Sequence, residues 1–186
     1  ILYSMKKILK ETAELGIVVI VGLPLACKSS LYNCAAVCYE GNILGYIPKT
    51  NIPDHSGLYE SRYFTAGSSK VDILFGDDND YDSAPFGAEM VFACEEMLDF
   101  SFGVEICEDA YGADAPSAAM AQKGASLIIN LSCSSEQVGK ADSRRTLFKA
   151  KSESLICAYA YANAGIGEST QDYVFAGRSM ILEKGN

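Results

Sequence analysis

Phe102-Gly103-Val104-Glu105-Ile106-Cys107-Glu108-Asp109 places a cysteine at the end of an apolar, β-prone run. The alternation up to Ile106 predicts a half-buried strand. Beyond Cys107 the pattern breaks: Glu108 and Asp109 are charged, and Ala110-Tyr111-Gly112 leads to Pro116 and an alanine-rich helix. A cysteine at such a junction sits at the carboxyl edge of a strand, where α/β folds place ligands and reacting groups. A following helix N-terminus and a nearby cation favour the thiolate. Lys49, within Tyr46-Ile47-Pro48-Lys49-Thr50, is the candidate cation. The competing reading of Cys107 is the ordinary one for a free cysteine, a small buried packing residue.

Working outward, Ser4 to Leu15 carries apolar residues at helical spacing with Lys and Glu between them, a surface helix ended by Gly16. Ile17 to Gly22 is a continuous β-branched run, which predicts a strand buried on both faces. Leu31 to Tyr39 and Ile43 to Pro48 predict a hairpin across Glu40-Gly41-Asn42. Asn51 to Gly67 reads as a long irregular loop whose aromatics favour order. Strands follow at Val71 to Phe75, Met90 to Ala93 and Phe100 to Cys107, then a helix over Ser117 to Lys123 and a buried strand over Ser126 to Leu131. Ser143 onward is a long helix pattern that turns into the alternating strand Cys157 to Ala162, and Val174 to Ile181 reads as one arm of a last hairpin. Strands interleaved with helices give the α/β class. Periodicity alone leaves a doubly wound sheet and a mixed two-sheet arrangement both open.

The 186 residues suffice for one domain with a sizeable core. A net charge of −9 argues against a general nucleic-acid binder and gives no support for binding anionic membranes. The longest apolar run, Ile17 to Leu25, falls far short of the ~20 residues of a membrane span. No signal-peptide pattern opens the chain, because Lys6, Lys7 and Lys10 lie in a polar, helix-patterned segment. Seven cysteines with no C-x-x-C pair, and a single histidine, speak against a zinc site and for reduced thiols in a cytoplasmic protein. Cys34 and Cys38, four apart in a strand, share one face and read as core filling. Asp77-Asp78-Asn79-Asp80 lacks the glycine and final carboxylate of a calcium loop and reads as a solvated turn.

The order of Leu23-Pro24-Leu25, Leu31-Tyr32-Asn33, Gly45-Tyr46-Ile47-Pro48-Lys49-Thr50, Leu58-Tyr59-Glu60-Ser61-Arg62-Tyr63-Phe64, Cys107-Glu108-Asp109, Asn130-Leu131-Ser132 and Gly167-Glu168-Ser169-Thr170 resembles the nitrilase, or carbon–nitrogen hydrolase, superfamily. Within it the wording is most similar to the glutaminase domain of glutamine-dependent NAD+ synthetases. The resemblance spans about Ile17 to Asn186 and implies a four-layer αββα sandwich, here truncated at both ends. It also implies one glutamine amidotransferase domain over residues 1–186, without its N-terminal segment, its last strands or the synthetase domain.

The implied chemistry is hydrolysis of glutamine to glutamate and ammonia, the ammonia serving NAD+ synthesis from the deamido dinucleotide. Cys107 matches the nucleophile and Lys49 the lysine that supports the oxyanion. Glu60 matches a supporting glutamate that holds Lys49 or the substrate amide; the plain alternative is a solvated carboxylate paired with Arg62. His55, Ser134 and Lys140 occupy the places of the substrate-binding residues. Lys140 stands where relatives commonly carry arginine, leaving a point charge in place of a bidentate grip. Ser134 taken alone also reads as a turn serine. Glu11 and Glu14 lie inside the first helix and do not match the family's general-base glutamate, which the resemblance puts upstream of Ile1.

The implied partners are glutamine, a synthetase domain of the same polypeptide and further copies of this chain, since unpaired strand edges seek partners; no nucleic acid and no membrane are expected. No metal site and no cofactor are expected in this chain, ATP and Mg belonging to the synthetase domain. A free-standing amidase or N-carbamoyl hydrolase shares the Cys, Lys and Glu set and is the alternative enzyme. A non-catalytic fragment with an inert Cys107 is the other alternative.

Overall fold

In the computed structural model Glu40 (φ 48°) and Gly41 (φ 76°) close a two-residue hairpin between β2 (Ser30–Tyr39) and β3 (Asn42–Pro48). Both central residues in the left-handed region make this the turn whose twist matches its strands, as expected from the sequence. The structure describes residues 1–27, 29–55, 58–74 and 83–186. Gly57, Phe75 and the Asp77-Asp78-Asn79-Asp80 stretch lie outside the described residues. The chain divides into two compact units, Ile1–Ala88 and Glu89–Asn186.

The first unit is a five-stranded sheet in the order β1-β2-β3-β5-β4, where β1 is Val19–Cys27, β4 Asp72–Leu74 and β5 Ala84–Phe86. Helix α1 (Leu2–Thr12) joins its core through Met5, with Leu9 packed against the cluster of Leu23, Leu25, Cys34, Ala36, Cys38 and Tyr46. Cys34 and Cys38 are core filling, as the spacing predicts. Three expectations are corrected. The first strand is half-exposed and, among the described residues, lies at the sheet edge paired with β2 alone; Ile17 and Val18 precede it, exposed. A β-branched run does not by itself show how many neighbours a strand has, whereas exposed Pro24 in β1 suits an edge, where a missing N–H costs no ladder bond. Glu14 lies beyond the helix, which ends at Thr12. Strand β5 falls in what reads as a connection; Pro85 disguises it, yet Phe86 aligns with Tyr46 of β3.

The second unit is also a five-stranded sheet, in the order β10-β9-β8-β7-β6. Its centre is three parallel strands, β7 (Ser101–Ile106), β8 (Leu127–Ser132) and β9 (Ala158–Asn163). Antiparallel β6 (Val91–Ala93) and β10 (Met180–Glu183) flank them. Helix α2 (Pro116–Gln122) starts with proline at its first turn and packs so close to β7 that a side chain at Gly103 would run into Met120. Helix α3 (Lys140–Leu155) buries Arg144, Phe148 and Ser152, spaced four apart on one stripe. Phe148 lies against Tyr159 and Tyr161 of β9, ring centroids 4.9 and 4.5 Å apart. The helix begins three residues before the expected Ser143 and stops where Ile156 turns to φ 54°. Residues 174–179 are not strand: Val174 accepts the Glu136 N–H and Phe175 donates to Ser169 Oγ, so these backbone groups bond to loops.

Candidate active site

Cys107 follows the last residue of β7 and opens a 3₁₀ turn, Cys107–Tyr111. Its φ of 46° puts a β-carbon-bearing residue in the left-handed region, a strained conformation that persists only where surroundings hold it. Two buried side chains hold it. Asp109 Oδ2 accepts the Ile106 N–H at 3.0 Å, and Asn130 Nδ2 donates to the Cys107 carbonyl at 3.3 Å. The strand is anchored one step earlier by buried Glu105, which accepts the Ser117 N–H at 3.1 Å and the Tyr159 hydroxyl. Ile106 pairs with Leu131, and Ser132 with Asn163, so Cys107, the segment leading to Ser134, and Asn163 all lie at the carboxyl edge of the parallel strands. A half-buried thiol at such an edge is positioned to attack a carbonyl.

Lys49, in the first unit, follows β3 and is 1 % exposed; its Nζ lies 2.7 Å from Glu60 Oε1. Asn33 of β2 serves both partners: its carbonyl accepts the Lys49 N–H at 2.8 Å and its Nδ2 donates to Glu60 Oε2 at 3.3 Å. Of the readings open for Glu60, pairing with Lys49 is the one realised, while the Arg62 guanidinium lies over the Tyr59 ring, 4.6 Å from its centroid. His55 is exposed on the same loop, its carbonyl accepting the Leu58 N–H.

Ser134 lies just past β8 in the second unit, half-buried, and Lys140 opens α3 one turn ahead of Arg144. Arg144 is the residue sequence reasoning missed. It is buried, its Nη1 is 3.4 Å from Glu136 Oε2, and its Nε and Nη2 find no hydrogen-bond partner among the described residues. Its guanidinium stands 5.7 Å from the centre of the Tyr161 ring. Burial pushes the Tyr111 phenol up to about 12, with Tyr161 and Cys107 adding to the rise and Arg144 opposing it. Tyr161 is raised for the same first reason, while Ser132, Arg144 and Ser134 pull it down and Cys107 pushes it up. Cys107, Tyr111, Tyr161 and Arg144 therefore share one electrostatic neighbourhood. Among the described residues no group of three or more His, Cys, Asp or Glu could hold a metal ion.

The sequence profile of the carbon–nitrogen hydrolases matches residues 2–184. The chain belongs to the carbon–nitrogen hydrolase family. Among curated relatives it is 38 % identical over 175 residues to the glutamine-dependent NAD(+) synthetase of Mycobacterium tuberculosis (strain ATCC 25618 / H37Rv), a match covering 94 % of this chain and 25 % of that protein. It is 30 % identical over 180 residues to the enzyme of the same name from Thermotoga maritima, covering 96 % and 27 %. The chain thus spans about a quarter of the length of these relatives. Among solved structures, the glutamine-dependent NAD(+) synthetase of Cytophaga hutchinsonii matches with a TM-score of 0.79 at 28 % identity, over 99 % of this chain and 30 % of that one. A carbon–nitrogen hydrolase from Helicobacter pylori G27 matches with a TM-score of 0.74 at 19 % identity, over 99 % and 61 %, which is a likeness of fold. The fold is that of the carbon–nitrogen hydrolases, as the sequence resemblance implies.

Within this family member the candidate catalytic residues and the residues that hold their surroundings differ in legibility. Cys107, Lys49 and Glu60 stand in ordered motifs and can be picked out by reading along the chain. Asn33, Glu105, Asp109, Asn130 and Arg144 act through partners 3 to 54 positions away, as with Asp109 on Ile106 and Glu105 under Tyr159. Polar residues inside otherwise apolar strands, such as Glu105 and Asn130, were the available signal.

Proposed function

We propose that the chain is the glutaminase part of a glutamine-dependent NAD+ synthetase. The observation that carries the reading is the Cys107 turn, a half-buried thiol held at φ 46° at the carboxyl edge of three parallel strands. The 38 % identity to a mycobacterial enzyme of that name across 94 % of the chain supports the choice of substrate.

In this reading the Cys107 thiolate attacks the side-chain carbonyl carbon of glutamine. The new C–S bond pushes the π electrons onto oxygen, and the Lys49 ammonium stabilises the resulting oxyanion. Collapse breaks the C–N bond, and the departing nitrogen takes a proton from a carboxylic acid and leaves as ammonia. Water, deprotonated by the same carboxylate, attacks the thioester, releasing glutamate and restoring the thiol. Glu60, engaged on Lys49 at 2.7 Å, keeps the ammonium in place. Ser134, Lys140 and His55 bind the amino-acid end of the substrate. In the parent polypeptide the ammonia passes to a synthetase domain, to which ATP and Mg belong.

The test is ammonia release from glutamine by the parent polypeptide, with Cys107→Ala and Lys49→Met beside it. Each substitution is expected to lower kcat by about 10³-fold or more, as loss of one member of a nucleophilic set does. Turnover that survives Cys107→Ala would sink the assignment.

A further inference from the structure

Asn163, the last residue of β9, spends its whole side-chain amide on two loops and one ring. Its Oδ1 accepts the Ser134 N–H at 2.8 Å and the Tyr161 hydroxyl at 3.2 Å. Its Nδ2 donates to the carbonyls of Ser134 at 3.2 Å and Gly177 at 2.9 Å, while its main-chain N–H donates to Ser179 Oγ at 3.0 Å. The two backbone groups of Ser134 fix which way the amide faces, since an N–H must meet the oxygen and a carbonyl must meet the nitrogen. Aspartate cannot replace this: it would set an anionic oxygen against two carbonyl oxygens.

Ser134 follows β8 in a stretch without regular structure, so no ladder holds its backbone. Both its main-chain polar groups are instead satisfied by one side chain from the neighbouring strand. Its hydroxyl has donor and acceptor capacity for a ligand. The same amide ties down Gly177, and Gly177 donates its own N–H to the Ala164 carbonyl at 3.0 Å.

We propose that Asn163 is a positioning residue for substrate binding: it presents Ser134 to the amino-acid end of an amide substrate and locks the 177–179 segment to the same point. The proposal rests on the reading of Ser134 as a contact for glutamine. Asn163 touches no reacting atom, so its loss weakens binding and leaves the chemistry at Cys107 to proceed once substrate is held.

The experiment is alkylation kinetics of Cys107 in the parent polypeptide with a diazo-ketone analogue of glutamine, followed by mass spectrometry. Rate against concentration gives a half-saturating concentration and a limiting rate; iodoacetamide, which lacks the amino-acid end, is run alongside. Asn163→Asp is expected to raise the half-saturating concentration about 10- to 100-fold, the worth of two or so lost hydrogen bonds. The limiting rate and the iodoacetamide rate should change far less. If Asn163→Asp fails to fold, Asn163→Ser, which removes the bonds without adding charge, is read by the same split. An unchanged half-saturating concentration in a folded variant overturns the proposal, and so does an iodoacetamide rate that falls in step with it. An unsubstituted parent polypeptide that shows no saturable reaction at Cys107 overturns the glutamine reading itself.

Discussion

The Lys49 ammonium, 1 % exposed, lies 2.7 Å from a Glu60 carboxylate whose side chain stays 23 % exposed. The asymmetry decides what each substitution does. Removing Glu60 strands a buried cation, whereas removing Lys49 leaves a carboxylate that water and the Asn33 amide still reach.

Glu60→Ala is therefore expected to destabilise the fold by about 3 kcal/mol, the cost of breaking a buried pair from one side. Lys49→Met, which places an apolar chain where the lysine stem ran, should cost clearly less in stability. Urea denaturation of both variants and of the double substitution measures the coupling. A larger loss from Lys49→Met than from Glu60→Ala would mean that the buried ammonium is not held by this carboxylate.

The glutamine-analogue diazo-ketone should label Cys107 ahead of the other six cysteines at neutral pH. Burial pushes the Cys34 thiol up to about 12, with Cys27 adding to the rise, and the Cys38 thiol up to about 11, so neither offers thiolate. Peptide mapping that finds the label mainly on Cys27, Cys94 or Cys157 would remove Cys107 from its role.

Those same thiols are expected to make the fold alkali-sensitive. Cys34 and Cys38 rise from the usual 9.0 to about 12 and about 11, so the folded protein holds protons that the unfolded chain sheds. Their contribution to stability is complete below pH 9.0 and is lost progressively as pH rises through the folded values. Denaturation midpoints measured from about pH 8 to about pH 11 should fall at the upper end, and Cys34→Ala with Cys38→Ala should flatten that fall. An undiminished slope in the double variant would place the alkaline sensitivity elsewhere, Tyr111 being the next candidate at about 12.

Arg144 buries Nε and Nη2 without hydrogen-bond partners among the described residues, and its ion pair to Glu136 is long at 3.4 Å. Each orphaned donor costs about 1–3 kcal/mol. Arg144→Met, similar in length and apolar, is expected to leave stability unchanged or to raise it, as replacing buried charge with fitted apolar side chains often does. Glu136 retains Arg178 at 3.5 Å. A strongly lowered melting temperature for Arg144→Met would show that the guanidinium is better satisfied than its contacts indicate.

How far the residues spoke for themselves depends on the range of the interaction each one makes. The hairpin across Glu40-Gly41, the alternating strand over Ala158–Asn163 and the strand-to-turn junction at Cys107 are local events, written in spacing and turn chemistry within a few positions. Ordered motifs were enough to place the chain among the carbon–nitrogen hydrolases and to single out Cys107, Lys49 and Glu60. Tertiary structure alone decided that β1 is an edge strand, that Ala84–Phe86 pairs with Tyr46, and that residues 174–179 bond to loops instead of a partner strand. It also decided that Glu60 takes Lys49 in preference to Arg62 with Asn33 holding that ion pair, and, in the second unit, that Asn130 and Asn163 hold the backbone at the carboxyl edge of the parallel strands. The physical reason is the same in each case. A polar side chain carries its donors and acceptors in the sequence, but which partner satisfies them is settled only when distant strands bring that partner within about 3 Å.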